Sequence, residues 1–169
     1  MLVEADVMKV IEKMYGPDGK KIIELLLKAD NGKTIDEIAQ ETGIRVNDVR
    51  RLLYEMSQEG FVAYLRSQKG DSLWYNYRWY TNTTMLRNAL SKRIENVIKV
   101  LEGRLEYETG TSFYICPNDL SIYTFEEAFE NNFQCIHCQA DLVEFDNRQI
   151  ITHLKELLKM LKKYNSLTS

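Results

Sequence analysis

The sequence predicts an α+β chain that is mainly α, on three observations. Apolar residues recur at helical spacing through roughly the first sixty positions, strict alternation follows over about twenty, and a C-x-x-C pair stands at Cys135 and Cys138. Helices followed by a two-stranded wing are the order of a winged helix-turn-helix domain. The expected division is a winged-helix domain with an extra N-terminal helix over 1–81 and a connector helix over 82–108. A degenerate zinc-ribbon module over 109–147 and a C-terminal amphipathic helix over 148–169 complete it.

Val3, Val7, Val10 and Met14 give the first helix its apolar stripe. "GPDGK" interrupts it and sets Pro17 near a new helix start, where a missing amide is tolerated. "KKIIELLLKADNG" then reads as a buried helix that ends at the Asn31-Gly32 turn signal. Thr34 and Glu37 form a capping box for "IDEIAQETG". In "IRVNDVRRLLYEMSQEG", Asn47 is the expected N-cap, Val49, Leu52, Leu53 and Met56 the buried stripe, and Gly60 the stop.

"FVAYLRS" and "SLWYNYRWY" flank "QKGD", a hairpin pattern with a Gly-Asp turn. Alternation divides the second strand into a face with Leu73, Tyr75, Tyr77 and Trp79 and a face with Trp74, Asn76, Arg78 and Tyr80. A half-buried strand needs one apolar face, so the expectation is that the first packs on the domain. The second then offers Trp74 and Tyr80 to unpaired bases or to a protein surface, with Arg66, Lys69 and Arg78 beside them for phosphates. Cross-strand aromatic packing with no ligand is the alternative. Arg50 and Arg51 share the expected recognition helix with Asp48, Glu55 and Glu59, a mixture that argues against reading base edges in the major groove.

Leu86, Leu90, Ile94, Val97, Leu101 and Leu105 then run as one stripe along a helix of about six turns. After it comes a strand-and-turn region holding all three Cys: Cys116, Cys135 and Cys138. C-x-x-C is the spacing of one zinc knuckle. "CPND" supplies the first thiolate of a second knuckle, with Asp119 in the place of the other. Three Cys and one Asp form a possible, weaker zinc site, and the alternative is a ribbon that keeps its shape without metal, or only with a partner. His137 inside its knuckle and His153 in the last helix are poorer candidates. "NRQIITHLKELLKMLKKY" closes the chain, with Lys155, Lys159, Lys162 and Lys163 on its polar face.

Composition excludes several classes. Apolar content of 44% and charged content of 28% are those of a globular chain. The start carries acids and no basic region of the kind a signal peptide has, so an intracellular, reducing compartment is expected. No apolar run reaches the ~20 residues of a bilayer span, so no membrane partner is expected. A net charge of −3 and a pI near 5.5 disfavour a protein that holds duplex DNA by many phosphates. From 106 to 147 there are nine acids and no Lys or Arg, a surface suited to basic protein or simply to water. Glycine-rich phosphate loops, G-x-S-x-G and paired metal-hydrolase histidines are all missing, and nothing around Cys135 has the α/β setting of a redox C-x-x-C. No enzyme is expected.

"TIDEIAQETGIRVNDVRRLLYEMSQEGFVAYLRS" followed by "SLWYNYRWY", a connector helix and a ribbon resembles the archaeal transcription factor E family, homologous to the alpha subunit of general transcription factor IIE. The resemblance runs from about Asp18 to Phe145; Asp119 departs from the fourth Cys of most members. It implies a basal initiation factor acting with RNA polymerase, TATA-binding protein and transcription factor B. It further implies a winged helix on the polymerase clamp, contact with the non-template strand, and in some members a second, beta-type subunit. A cytoplasmic, nucleoid-associated place follows. Two rivals remain: a dimeric repressor using Leu86–Leu105 to pair on an operator, and a metal or thiol sensor built on the three Cys.

Overall fold

In the computed structural model, which describes residues 4–68 and 75–168, the chain forms six helices and five strands among those residues. It divides into two compact units, and the boundary falls after Arg93, inside the fourth helix.

The first unit opens with α1 (Glu4–Leu27), broken at Gly16, whose φ of 73° only glycine adopts readily; Pro17 starts the second half. The turn ends this helix at Leu27, short of the expected Asn31-Gly32. α2 (Ile35–Thr42) carries the expected capping box, Thr34 Oγ1 accepting from the Glu37 amide and the Glu37 carboxylate from the Thr34 amide at 2.7 Å. α3 (Val46–Gln58) differs at its start: Arg45 is the N-cap and makes no side-chain cap bond. Asn47 Oδ1 accepts from Arg50 instead, so the expected cap is used one residue inside the helix. Ile11, Ile22, Ile23, Leu26, Ile38, Val49, Leu53, Met56 and Phe61 form a core of nearly inaccessible side chains. Each contributes roughly 1.5–3 kcal/mol by leaving water.

β1 (Ala63–Gln68) and β2 (Tyr75–Tyr80) pair antiparallel, with Tyr64 opposite Trp79 and Arg66 opposite Tyr77. Lys33 adds a single bridge on the other side of β2, exchanging amide–carbonyl bonds of 2.8 and 2.7 Å with Trp79. This close approach requires Gly32, where a Cβ would stand 2.6 Å from the Trp79 carbonyl oxygen. The expected turn lies outside the described residues.

α4 (Thr83–Gly110) is about 42 Å long at 1.5 Å per residue, longer than the predicted six turns. Its buried stripe passes through Ile98, whereas Val97 is exposed. In the second unit β3 (Phe113–Ile115) pairs antiparallel with both β4 (Ile122–Thr124) and β5 (Val143–Phe145), giving the sheet order β4-β3-β5. Between β4 and the second knuckle lies α5 (Phe125–Glu130), capped by a second box in which Thr124 and Glu127 exchange bonds. Ahead of the second knuckle no strand forms at 132–134, because Asn132 and Phe133 are both left-handed at φ 52° and 57°. α6 (Arg148–Thr168) buries Leu154 and Leu158, and Lys162 reaches Glu102 of α4 at 2.6 Å. The buried Glu108 near the end of α4 pairs with Arg104 and accepts from Asn147 Nδ2 at 2.7 Å, which ties α4 to the start of α6. Among the described residues no helix is long and apolar enough to cross a membrane.

Candidate nucleic-acid interface and metal centre

The wing presents a different aromatic face from the one expected. Trp79 is 6% exposed and anchors the sheet, but Tyr75 and Tyr77 on the same face are exposed, because they lie farther along the hairpin from the Lys33 bridge. Tyr64 joins them from β1, half exposed, its ring centroid 5.4 Å from Tyr77 and 5.1 Å from Trp79. Arg66 lies over the Tyr75 ring at 3.3 Å. The result is a ladder of three tyrosines with a guanidinium stacked at its outer end.

The opposite face is more engaged than its sequence suggests. Tyr80 is half-buried, and Arg78 is tied into the domain. Its Nε donates to the Asn31 carbonyl at 2.9 Å, its Nη2 to the Gly32 carbonyl at 2.8 Å, and Glu37 completes the set at 3.3 Å. Trp74 and Lys69 lie outside the described residues. On α3 the cations are also paired: Arg45 with Asp48 at 2.8 Å, Arg51 with Glu55 at 3.1 Å, and Arg50 with the Asn47 side chain. Arg93 of α4 meets Glu59 at 3.2 Å. A helix whose donors are met this way has little left for base edges. Tyr54, well exposed on α3, adds an aromatic beside them.

In the second unit the sequence-predicted ligands come together. The ligand atoms of Cys116, Asp119, Cys135 and Cys138 all lie within 4.8 Å of one another, and His137 and His153 stand outside the group. The knuckles are two copies of one backbone turn. Cys116 N donates to Ser121 O at 2.9 Å and Leu120 N to Cys116 O at 3.0 Å; Cys135 N donates to Ala140 O at 2.8 Å and Gln139 N to Cys135 O at 2.9 Å. Leu120 and Gln139 close them in the left-handed region, at φ 62° and 60°. Neither residue favours that conformation, so the turn itself is strongly specified.

The donors suit a thiophilic ion. The Cys116 and Cys138 sulfurs are 3.5 Å apart, near the roughly 3.8 Å of two thiolates on one tetrahedral zinc. Asp119 Oδ2 lies 3.3 Å from Cys135 Sγ. The Ser121 amide, at 2.9 Å from Asp119 Oδ1, holds the Asp119 carboxyl well below the usual range, so it is a carboxylate. Burial pushes the Cys116 thiol up to about 11, whereas the Tyr123 hydroxyl at 3.3 Å draws Cys135 down. Cys116, Asp119, Cys135 and Cys138 are the residues that would hold a metal ion, and the ion would serve there as a staple joining two loops.

Sequence reasoning missed the tyrosine ladder and α5. The second was visible in "TFEE", a Thr-x-x-Glu box of the same kind as the one recognised at Thr34.

Comparison with known proteins agrees with this architecture. The family described as TFIIE alpha subunit matches residues 6–110. Transcription factor E of Saccharolobus islandicus (strain Y.N.15.51) is 35% identical over 156 residues, which cover 92% of this chain and 89% of that protein. Transcription factor E of Metallosphaera sedula is 36% identical over 150 residues, covering 89% and 85%. A solved structure described as a transcriptional regulator shares the fold at a TM-score of 0.51 with 13% identity, covering 96% of this chain and 92% of that one. The chain thus belongs to the TFIIE alpha subunit family, with the archaeal transcription factor E proteins, and is a transcription initiation factor with no enzymatic activity.

Proposed function

We propose that this chain assists RNA polymerase in opening promoters, seating its winged helix on the polymerase clamp and its wing against the non-template strand. TATA-binding protein and transcription factor B supply the platform, and a beta-type subunit pairs with it in the cytoplasm of an archaeon. The observation that carries this reading is the exposed Tyr64-Tyr77-Tyr75 ladder with Arg66, together with a recognition helix whose cations are paired internally. Stacking on unpaired bases needs aromatic faces and no sequence code, at about 1–3 kcal/mol per base. Duplex reading needs free donors along α3. Arg50, Arg51 and Tyr54 then serve as contacts to protein, and Arg78 and Tyr80 fix the base of the wing. Zinc held by Cys116, Asp119, Cys135 and Cys138 staples the ribbon.

Binding of the full chain to duplex promoter DNA, to a pre-opened bubble and to polymerase complexes on each tests the proposal. The expected order puts the polymerase–bubble complex first, with a loss of about tenfold in Tyr75→Ala/Tyr77→Ala, in line with one stacked base. Tight, salt-sensitive binding to one duplex sequence without polymerase would overturn it in favour of a repressor.

A further inference from the structure

The most exposed aromatic surface of the second unit, among the described residues, is on α5. Phe125 and Phe129, one helical turn apart, are 45% and 65% exposed and stack with centroids 6.1 Å apart and planes 18° from parallel. Phe133 closes on both at 6.1 and 6.4 Å, and Tyr114 of β3 lies 5.0 Å from Phe133. Four rings thus share one patch. Leaving two phenylalanines in water costs free energy, and aromatic residues are the usual anchors of protein interfaces.

The backbone spends strain to build this patch. Asn132 and Phe133 are consecutive left-handed residues, a conformation unfavourable for a bulky side chain. They are held by Phe133 N to Ala128 O at 2.7 Å and Leu142 N to Phe133 O at 2.8 Å. The ring that this turn presents is the one that bridges Phe129 to Tyr114.

Charge selects the occupant. Glu126 and Glu130 are exposed on the same helix, and Glu144 lies opposite Tyr114 in the sheet register. Among the described residues none of these three takes part in an ion pair, and no Lys or Arg occurs between 106 and 147. Glu127 is different: its carboxylate caps α5 through the Thr124 amide at 2.8 Å. A nucleic acid would meet uncompensated carboxylates here, and an acidic protein would as well.

We propose that the Phe125-Phe129-Phe133 face with its Glu126 and Glu130 rim is a docking surface for a basic amphipathic segment of a protein partner. Such a segment lays an apolar side chain on the rings and flanks it with Lys or Arg against the rim. The patch shares no residue with the wing or with the four metal-ligand positions, although Phe133 packs against the buried cluster that holds Cys116 and Cys135.

Two synthetic helical peptides of identical Leu spacing, one with Lys and one with Glu at the polar positions, test this on the full metal-loaded chain. The Lys peptide is expected to bind and to shift the backbone resonances of Phe125, Phe129 and Phe133, and the Glu peptide to leave them unmoved. Glu126→Lys/Glu130→Lys reverses the preference, and Phe129→Ser weakens binding at least tenfold with an unchanged melting temperature. Both sites are exposed, so neither variant should unfold. Lys-peptide binding that survives both variants, or that maps elsewhere, overturns the proposal. So does concentration-dependent self-association abolished by Phe129→Ser, which would assign the face to a second copy.

Discussion

The two units hold their shape in different ways. The winged helix is built on a conventional apolar core, with Ile11, Ile22, Leu53, Met56 and Phe61 all removed from water. The ribbon's buried cluster is Cys116, Tyr123, Ala128, Cys135 and Leu142, so two of its five members are thiols and one is a methyl group. Such a cluster buries too little apolar surface to order three three-residue strands by itself. The difference teaches where each unit is vulnerable. One fails through a cavity, the other through loss of whatever draws its four ligand atoms together.

The largest expected effect follows from that. Cys135→Ser, or a strong chelator on the unchanged chain, should abolish amide protection across 113–145 and remove bound zinc, with the winged helix still protected in hydrogen exchange. Protection that persists without metal would break the comparison. Next, Leu53→Ala should cost the first unit about 2–5 kcal/mol through a core cavity, read by thermal unfolding, with metal content unaltered. Smaller again is Asp119→Cys, which completes a four-thiolate site and should raise zinc affinity by roughly tenfold or more in a competition titration, since zinc favours thiolate. A weaker site would mean that the Ser121–Asp119 bond orders the first knuckle more than its carboxylate serves metal. The smallest effect is Tyr15→Phe. The Tyr15 hydroxyl is buried with no hydrogen-bond partner, and burial pushes the phenol up to about 12. Removing it should leave stability within about 1 kcal/mol of the parent, or raise it.

Much of this was legible in the sequence, for identifiable reasons. The Thr34–Glu37 box, the α3 stripe and the C-x-x-D/C-x-x-C frame are local patterns with one geometric solution each. Helix α5 was masked by its length, six residues being too few for a periodic signal. The wing shows a deeper limit. Alternation placed Tyr75, Tyr77 and Trp79 on one face, and β2 keeps that alternation. What alternation lacks is how far the domain reaches beneath the strand, and only Trp79 is buried there. Arg78 was offered to phosphates because its carbonyl partners, Asn31 and Gly32, are over forty positions away in the chain. A free cation and an anchored one look alike in sequence.

That misread face also marks the most direct test. A 2-aminopurine reporter in the non-template strand, in reconstituted initiation complexes, reads promoter opening in real time. The account predicts that the chain raises the opened fraction and that Tyr75→Ala/Tyr77→Ala loses most of that gain with its fold intact. An equal gain from the double variant, or no gain from the unaltered chain, would contradict it.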